Sequence, residues 1–255
     1  MPFRLHDGIP VWGDLQTNAL EQMRNCLQHD RAVTAALMAD HHLGYAQPIG
    51  GVVAYHNAVS PSGVGYDIAC GNKAVRLDLP ATEARANIST IMTDIWEILA
   101  FGVGSKNKEP IDHALFEKQD WRLKPLDALK RLAAEQLGSI GSGNHYVDIF
   151  VDDAEQVWVG VHFGSRGFGH RVATHFIKAG GGKSNNVFPV VLPLNSNLGQ
   201  DYLRAMKLAG EYAYAGRDWV CLRVARLLGA EILEEIHNNH NFAWRERHQG
   251  EELWV

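Results

Sequence analysis

Gly63-Val64-Gly65-Tyr66-Asp67-Ile68-Ala69-Cys70-Gly71-Asn72 leads into Val75, Leu77 and Leu79, which alternate with Arg76 and Asp78. Alternation with period two marks a half-buried strand. The quoted stretch is therefore a glycine-rich turn next to a strand, and it carries an aspartate and a cysteine three positions apart. Binding and catalytic groups are commonly displayed on such turns. Cys70 alone admits two readings. It is either a buried free thiol in a turn whose glycines supply unusual backbone angles, or a thiolate converging with the Asp67 carboxylate on one ion.

Outward from this turn, α and β signals are mixed. Val157, Val159 and Val161 alternate with Trp158 and Gly160, a second strand. The apolar run Val187 to Leu192 contains Pro189 and suits an edge strand, and Glu251-Glu252-Leu253-Trp254-Val255 begins like another. Asp14 is placed to cap a helix through Leu15, Leu20, Met23, Cys26 and Leu27, and Thr82 one striped by Ile88, Ile91, Met92, Ile95 and Leu99. Pro125 suits the first turn of a third helix, carried by Leu126, Leu129, Leu132 and Ala133. Gln200 to Ile236 reads as one or two helices interrupted at Gly216. Gly180-Gly181-Gly182 marks a flexible loop, and neither repeat nor dividing linker is visible. The expectation is a mixed α+β protein forming one compact domain.

Three further segments carry polar chemistry. Gly141-Ser142-Gly143-Asn144-His145-Tyr146-Val147-Asp148 sets Asn144 and His145 behind glycines that allow close approach to a ligand. In Val161-His162-Phe163-Gly164-Ser165-Arg166-Gly167-Phe168-Gly169-His170, a histidine ends the alternating strand. The glycine-rich turn after it is either a phosphate cradle of exposed amides plus Arg166 or a tight strand-to-helix connection. In His237-Asn238-Asn239-His240-Asn241, His237 reads as a partner of a helix C-terminus. Together the segments offer one aspartate, one cysteine and three histidines: Asp67, Cys70, His145, His162 and His240. A thiolate can bridge two ions whose spheres imidazole and carboxylate complete, and paired ions recur in phosphoryl chemistry. Gly102-Val103-Gly104-Ser105-Lys106 lacks the spacing of a Walker loop.

The net charge of −5 argues against a protein that coats nucleic acid through a basic surface, though not against one gripping RNA at a local cleft. No window approaches a membrane-spanning apolar run, and no export signal is visible at the start. Three cysteines suit reduced thiols in the cytoplasm.

Asp40-His41-His42-Leu43-Gly44-Tyr45 leading to Pro48-Ile49-Gly50-Gly51, the Gly63–Gly71 turn, Gly143-Asn144-His145, His162-Phe163-Gly164-Ser165-Arg166-Gly167 and His240-Asn241 together resemble the signature of the RtcB RNA ligases, in that family's order. The resemblance runs from about residue 35 to the end. It implies a mixed α/β fold peculiar to the family around two Mn2+ ions, with residues 1–255 as the metal-binding core. It implies that Cys70 bridges the ions, that Asp67 and His145 serve one and that His162 and His240 serve the other. Asn144 would contact guanylate, and Arg166 with Gly164 and Ser165 would hold phosphate; Asp148 and Asn241 would lie on the same nucleotide side. Manganese comes from the family alone, since Zn2+ suits the same donors.

The activity so implied joins an RNA 3′-phosphate or 2′,3′-cyclic phosphate to a 5′-hydroxyl end, consuming GTP through a histidine–GMP intermediate. The expected partners are GTP and RNA, either tRNA halves or broken RNA, with an accessory activator and no membrane. The chain departs from the pattern at Asp148, where the family usually has glutamate, and in the compact stretch between Pro48 and Gly63. It also departs after His240, where His248 is the sole histidine and its surroundings do not match the family's guanylylated histidine. That nucleophile is expected beyond Val255, so no catalytic nucleophile is assigned within the chain. Two other readings need no such histidine: a two-metal phosphodiesterase acting on cyclic phosphates, and a non-catalytic metal- or RNA-binding remnant.

Overall fold

Strands and helices both recur along the chain, as the α+β expectation requires; the computed structural model describes residues 2–183, 187–248 and 250–255. The backbone groups into two compact units. Met1–Tyr66, Ala173–Arg204 and Ala243–Val255 form the first, and Asp67–Val172 with Ala205–Phe242 form the second. Each unit draws on separated stretches of chain, so no single linker marks a boundary in the sequence.

The first unit holds a six-stranded sheet in the order β1 (Arg4–His6), β2 (Ile9–Val11), β3 (Ala32–His42), β4 (Ile49–Tyr55), β12 (Glu251–Trp254), β11 (Arg245–His248). Only the β2–β3 pair is parallel. Helix α1 (Thr17–Leu27) buries Leu20, Met23 and Cys26 in one apolar cluster with Ile9, Val11, Leu37 and Val53. It starts after Gln16 rather than at Asp14, and no side chain of its own caps it. The Nε2 of His41 accepts the Gln16 N–H at 3.1 Å instead. Helix α2 (Pro61–Val64) is a single turn capped by Ser60. The expected 187–192 strand shrinks to a ribbon of β5 (Ala58–Val59) with β9 (Leu192–Pro193). Pro189 cannot donate to a ladder, and Val190 bonds to the hydroxyls of Ser60 and Ser62 rather than to a strand.

The second unit holds an antiparallel sheet in the order β10 (Ile232–His237), β6 (Asn72–Pro80), β8 (Gln156–His162), β7 (Tyr146–Val151). Val75, Leu77, Val159 and Val161 share a core with Ile91 and Ile95 of α3 (Ala81–Ile98). Val220 and Val224 of α6 (Asn197–Leu227) complete it. Helix α4 (Leu126–Gln136) has Pro125 at its cap position, and α5 (Arg166–Ala179) follows β8 directly. Pro80, not Thr82, occupies the cap position of α3.

Register is what positions the site. Asn72 and Tyr146 both pair with His162, one from each neighbouring strand. Side chains alternate along a strand, so β8 sends Val161 to the core and His162 to the opposite face, between those two neighbours. A slip of one residue would exchange them.

Helix α6 runs uninterrupted through Gly216. A Cβ there would sit 3.2 Å from the Phe163 ring and 3.4 Å from the Gly138 nitrogen, so the glycine serves close packing and not a break. The helix ends at Leu227, ahead of Gly229 at φ +64°. The next element is the strand β10, contrary to the helical expectation up to Ile236. A register shift between Ile232 and Glu234 breaks its alternation, which hid the strand from a periodicity reading. Among the described residues no helix is long and apolar enough to cross a membrane.

Candidate metal centre

The Asp67–Cys70 turn closes through a Cys70 N–H to Asp67 carbonyl bond of 3.1 Å, with Ala69 at φ +55°. The His240-Asn241 segment is zipped to it by main-chain bonds. The Ala69 N–H donates to the Asn241 carbonyl at 2.9 Å, and the His240 N–H to the Cys70 carbonyl at 2.8 Å. Asn241 holds φ +52°, a conformation asparagine tolerates better than most residues. These bonds bring together residues far apart in the chain.

Donor atoms converge on the Cys70 sulfur. His162 Nε2 lies 3.3 Å from it and His145 Nε2 3.6 Å, and His145 Nε2 is 2.9 Å from Asp67 Oδ2. Two groups of three result, Asp67–Cys70–His145 and Cys70–His162–His240. Within each, the ligand atoms all lie within 4.8 Å of one another. The His162 tautomer suits a cation. His162 Nδ1 donates to the Asn72 side-chain oxygen at 2.8 Å, while His145 Nδ1 lies 3.0 Å from the Ile140 carbonyl and 3.3 Å from Arg166 Nη1. The Asn72 oxygen can only accept, so His162 Nε2 turns a lone pair towards the sulfur. A carboxylate, a sulfur and two imidazoles crowded together are the donor types that a cation collects. The donor set fits one or two metal ions.

The charges agree. Burial pushes the Cys70 thiol far above its ordinary range, and the neighbouring Asp67 pushes it the same way. Burial, then His240 and His145, bring His162 down to about 4. Asp67 itself ends below its ordinary value, because contact with His145 outweighs the opposing effect of burial. A bound cation reverses the penalty on the thiolate and favours every deprotonated ligand.

The remaining predicted residues surround this cluster in different ways. Asn144 Nδ2 lies 3.4 Å from His162 Nε2. Arg166 donates from Nε to Ser139 at 3.2 Å, and its Nη1 lies 3.3 Å from His145 Nδ1. Burial lowers its pKa, yet a guanidinium starts so high that it stays charged. Gly141 makes room for it, since a Cβ there would collide with Arg166 Nη1. Gly164 does the same for Asp67, whose Oδ1 would meet an added Cβ. The Ser165 hydroxyl is fully buried against Gly169 with no hydrogen-bond partner among the described residues. Two of the turn amides are engaged: Ser165 N–H donates to the Ile68 carbonyl and Gly167 N–H to the Gln136 side-chain oxygen. Asn241 donates from Nδ2 to the Asp67 carbonyl at 3.4 Å. Asp148 is exposed on β7 and belongs to neither group of three. His237 ends a strand rather than a helix, so the helix-terminus reading of it is corrected; its Nε2 accepts from Arg217 Nε at 2.9 Å.

Two contributors escaped the sequence reading. Asn72 closes the opening glycine-rich stretch, but nothing local shows that its amide faces a ring ninety residues on. Arg217 did leave a signal. It occupies one position of the buried stripe Ala209, Ala213, Arg217, Val220, Val224, which is otherwise apolar at helical spacing. In the same unit a cleft of about 690 Å3 is lined by Lys118, Lys207, Tyr214, Asn239 and Phe242, among others. Lys118 is paired with Glu211 and Asp218 also lines the cleft, so it is not a basic groove.

Comparison with known proteins bears on the whole chain. The chain is 31% identical over 279 aligned residues to "tRNA-splicing ligase RtcB" of Thermococcus kodakarensis, covering 84% of this chain and 57% of the relative. Against the protein of the same name from Methanococcus maripaludis it is 28% identical, with 93% and 63% covered. Against "RNA-splicing ligase RtcB" of Escherichia coli it is 26% identical, with 97% and 68% covered. The chain thus spans between 57% and 68% of the length of these three relatives. A family model described as tRNA-splicing ligase RtcB matches residues 22–126 and 117–255. With that match running from the first helix to the last strand, the chain belongs to the RtcB family.

Proposed function

We propose that residues 1–255 form the metal-binding core of a GTP- and Mn2+-dependent RNA ligase. It would join RNA 3′-phosphate or 2′,3′-cyclic phosphate ends to 5′-hydroxyl ends, and would act in the cytoplasm, where the free thiols Cys26, Cys70 and Cys221 stay reduced. One observation carries the reading: two groups of three donors share the Cys70 sulfur, in a chain of the RtcB family. Asp67, Cys70 and His145 would hold one ion, and Cys70, His162 and His240 the other. Bound there, two ions supply charge neutralisation for phosphoryl transfer.

The protein's own groups do the rest. Asn72 keeps His162 in the ligating tautomer, and the Ile140 carbonyl is placed to do the same for His145 once an ion takes its Nε2. Arg166, held by Ser139, offers a fixed cation to a phosphate. Asn144, whose amide already reaches the His162 edge, is proposed to contact guanylate, with Asp148 further along β7 on the same nucleotide side. Gly164, Ser165 and Asn241 contribute by shaping the turn that carries Asp67. Activation of a 3′-phosphate needs a leaving group, and the proposed route is guanylylation by a histidine that none of the five motifs supplies.

The test uses the protein read from the whole open reading frame, incubated with Mn2+ and GTP labelled in its α-phosphate. An acid-labile protein–GMP adduct is expected, followed by transfer to RNA ends. Absence of the adduct overturns the ligase reading. Opening of a cyclic phosphate without GTP would favour a phosphodiesterase, and RNA binding indifferent to Cys70→Ala a non-catalytic protein.

A further inference from the structure

Arg217 is wholly buried in α6, where a guanidinium is costly unless bonded; its Nε and Nη1 are bonded, and its Nη2 has no partner among the described residues. Its Nη1 donates to the Ala69 carbonyl at 2.9 Å and to the Phe163 carbonyl at 2.6 Å. Its Nε donates to His237 Nε2 at 2.9 Å, and its carbon lies 4.8 Å from the Tyr214 ring centre. Ala69 precedes Cys70, Phe163 follows His162, and His237 stands three residues before His240. One side chain therefore grips all three segments that supply the Cys70–His162–His240 group.

The grip is itself anchored. Since Arg217 can only donate, His237 accepts at Nε2 and carries its hydrogen on Nδ1, which faces Asp218 Oδ1 at 3.4 Å. Asp218 also takes a bond from Lys73 at 2.6 Å, and Lys73 donates a second bond to Glu235 at 2.7 Å. Lys73 belongs to β6, the strand that leaves the Cys70 turn.

We propose that Arg217 is the positioning residue of the Cys70–His162–His240 group, setting from beneath the separation of the segments that present its three donors. This rests on the reading that the group holds a metal ion. Arginine serves the two carbonyls from Nη1 and His237 from Nε; a lysine donates from one nitrogen only, so at the place of Nη1 it would leave His237 unserved.

Cobalt(II) is the probe, titrated into the chain and followed by the thiolate-to-metal absorption band and by stoichiometry. The wild type is expected to take two equivalents with a thiolate band. If it shows none, the metal reading itself fails and no variant is needed. Given wild-type binding, Arg217→Lys is expected to weaken the second equivalent by about 10- to 100-fold, the range for a partner that orients a ligand. Wild-type affinity for both equivalents in folded Arg217→Lys overturns the proposal, whether or not its melting temperature falls, because a purely structural role would lower only the latter.

Should Arg217→Lys fail to fold, the pair His237→Leu and His237→Gln decides. Leucine removes the acceptor of Arg217 Nε, whereas the glutamine side-chain oxygen can replace it. Several-fold weaker cobalt binding in His237→Leu, restored in His237→Gln, is expected. Equal affinities in both variants and the wild type overturn the proposal.

Discussion

Two buried histidines, His41 in the first unit and His162 in the second, show how little separates a structural ring from a ligand. Each is nearly sealed from solvent, and each is held at Nδ1 by an oxygen, the Met38 carbonyl at 2.6 Å or the Asn72 amide at 2.8 Å. The tautomer is therefore the same, and the difference lies wholly at Nε2. In His41 that lone pair is taken by the Gln16 N–H at the start of α1. In His162 it faces the Cys70 sulfur, with His240 ring-to-ring at 5.4 Å. A buried imidazole is a ligand candidate only if no backbone donor has already claimed its free nitrogen.

The sharpest way to break this contrast is Cys70→Ala, which takes the shared donor from both groups. Cobalt and manganese binding should fall below detection by titration calorimetry; two ions bound at wild-type strength would undo the assignment of the His162 corner. Next in size is Asn72→Leu, which frees the His162 tautomer and should weaken metal binding by about 10- to 100-fold. Asn72→Asp keeps an acceptor and should recover most of that loss, and a failure to recover would mean that Asn72 acts by packing alone.

The same experiment on the other ring should give the opposite pattern. His41→Leu strands the Gln16 N–H and is expected to cost about 1–3 kcal/mol in denaturant unfolding, the range for an orphaned buried donor. Metal affinity should not move.

The smallest effect is on pH dependence. His162 and His237 are both held down to about 4, below the ordinary value of 6.5, in each case first by burial. Folded-state values lower than unfolded ones mean that the unfolded chain binds more protons between them. The stability of the metal-free protein should therefore be fully present above pH 6.5 and decline as pH falls towards 4. His237→Gln should flatten that decline, measured as melting temperature against pH; an unchanged slope would show that His237 does not titrate with folding.

Much of the fold was legible in advance where the signal was local. Alternation marked β6 and β8, and helical stripes marked α1, α3 and α4 to within a few residues. Helix starts were misplaced where a tertiary partner replaced the local cap, as His41 does for α1. Periodicity extends the last long helix into β10 because a bulge erases the period of that strand, and Gly216 looks like a break although its missing side chain serves packing. Among site residues, Asp67, Cys70, His145, His162 and His240 are brought together. Asp148 stands apart on β7, and the Ser165 hydroxyl turns inward.

The sequence by itself determined the chemistry on offer, namely donor types beside glycines and strand ends, because donor identity and backbone period are properties of neighbouring residues. Only the tertiary structure decided which donors are available. Register sets Asn72 and Tyr146 on either side of His162, and packing of α6 drives Arg217 beneath the carbonyls of Ala69 and Phe163. The direction of a lone pair depends on what reaches the other nitrogen of the ring, and that partner comes from a part of the chain no local pattern can see.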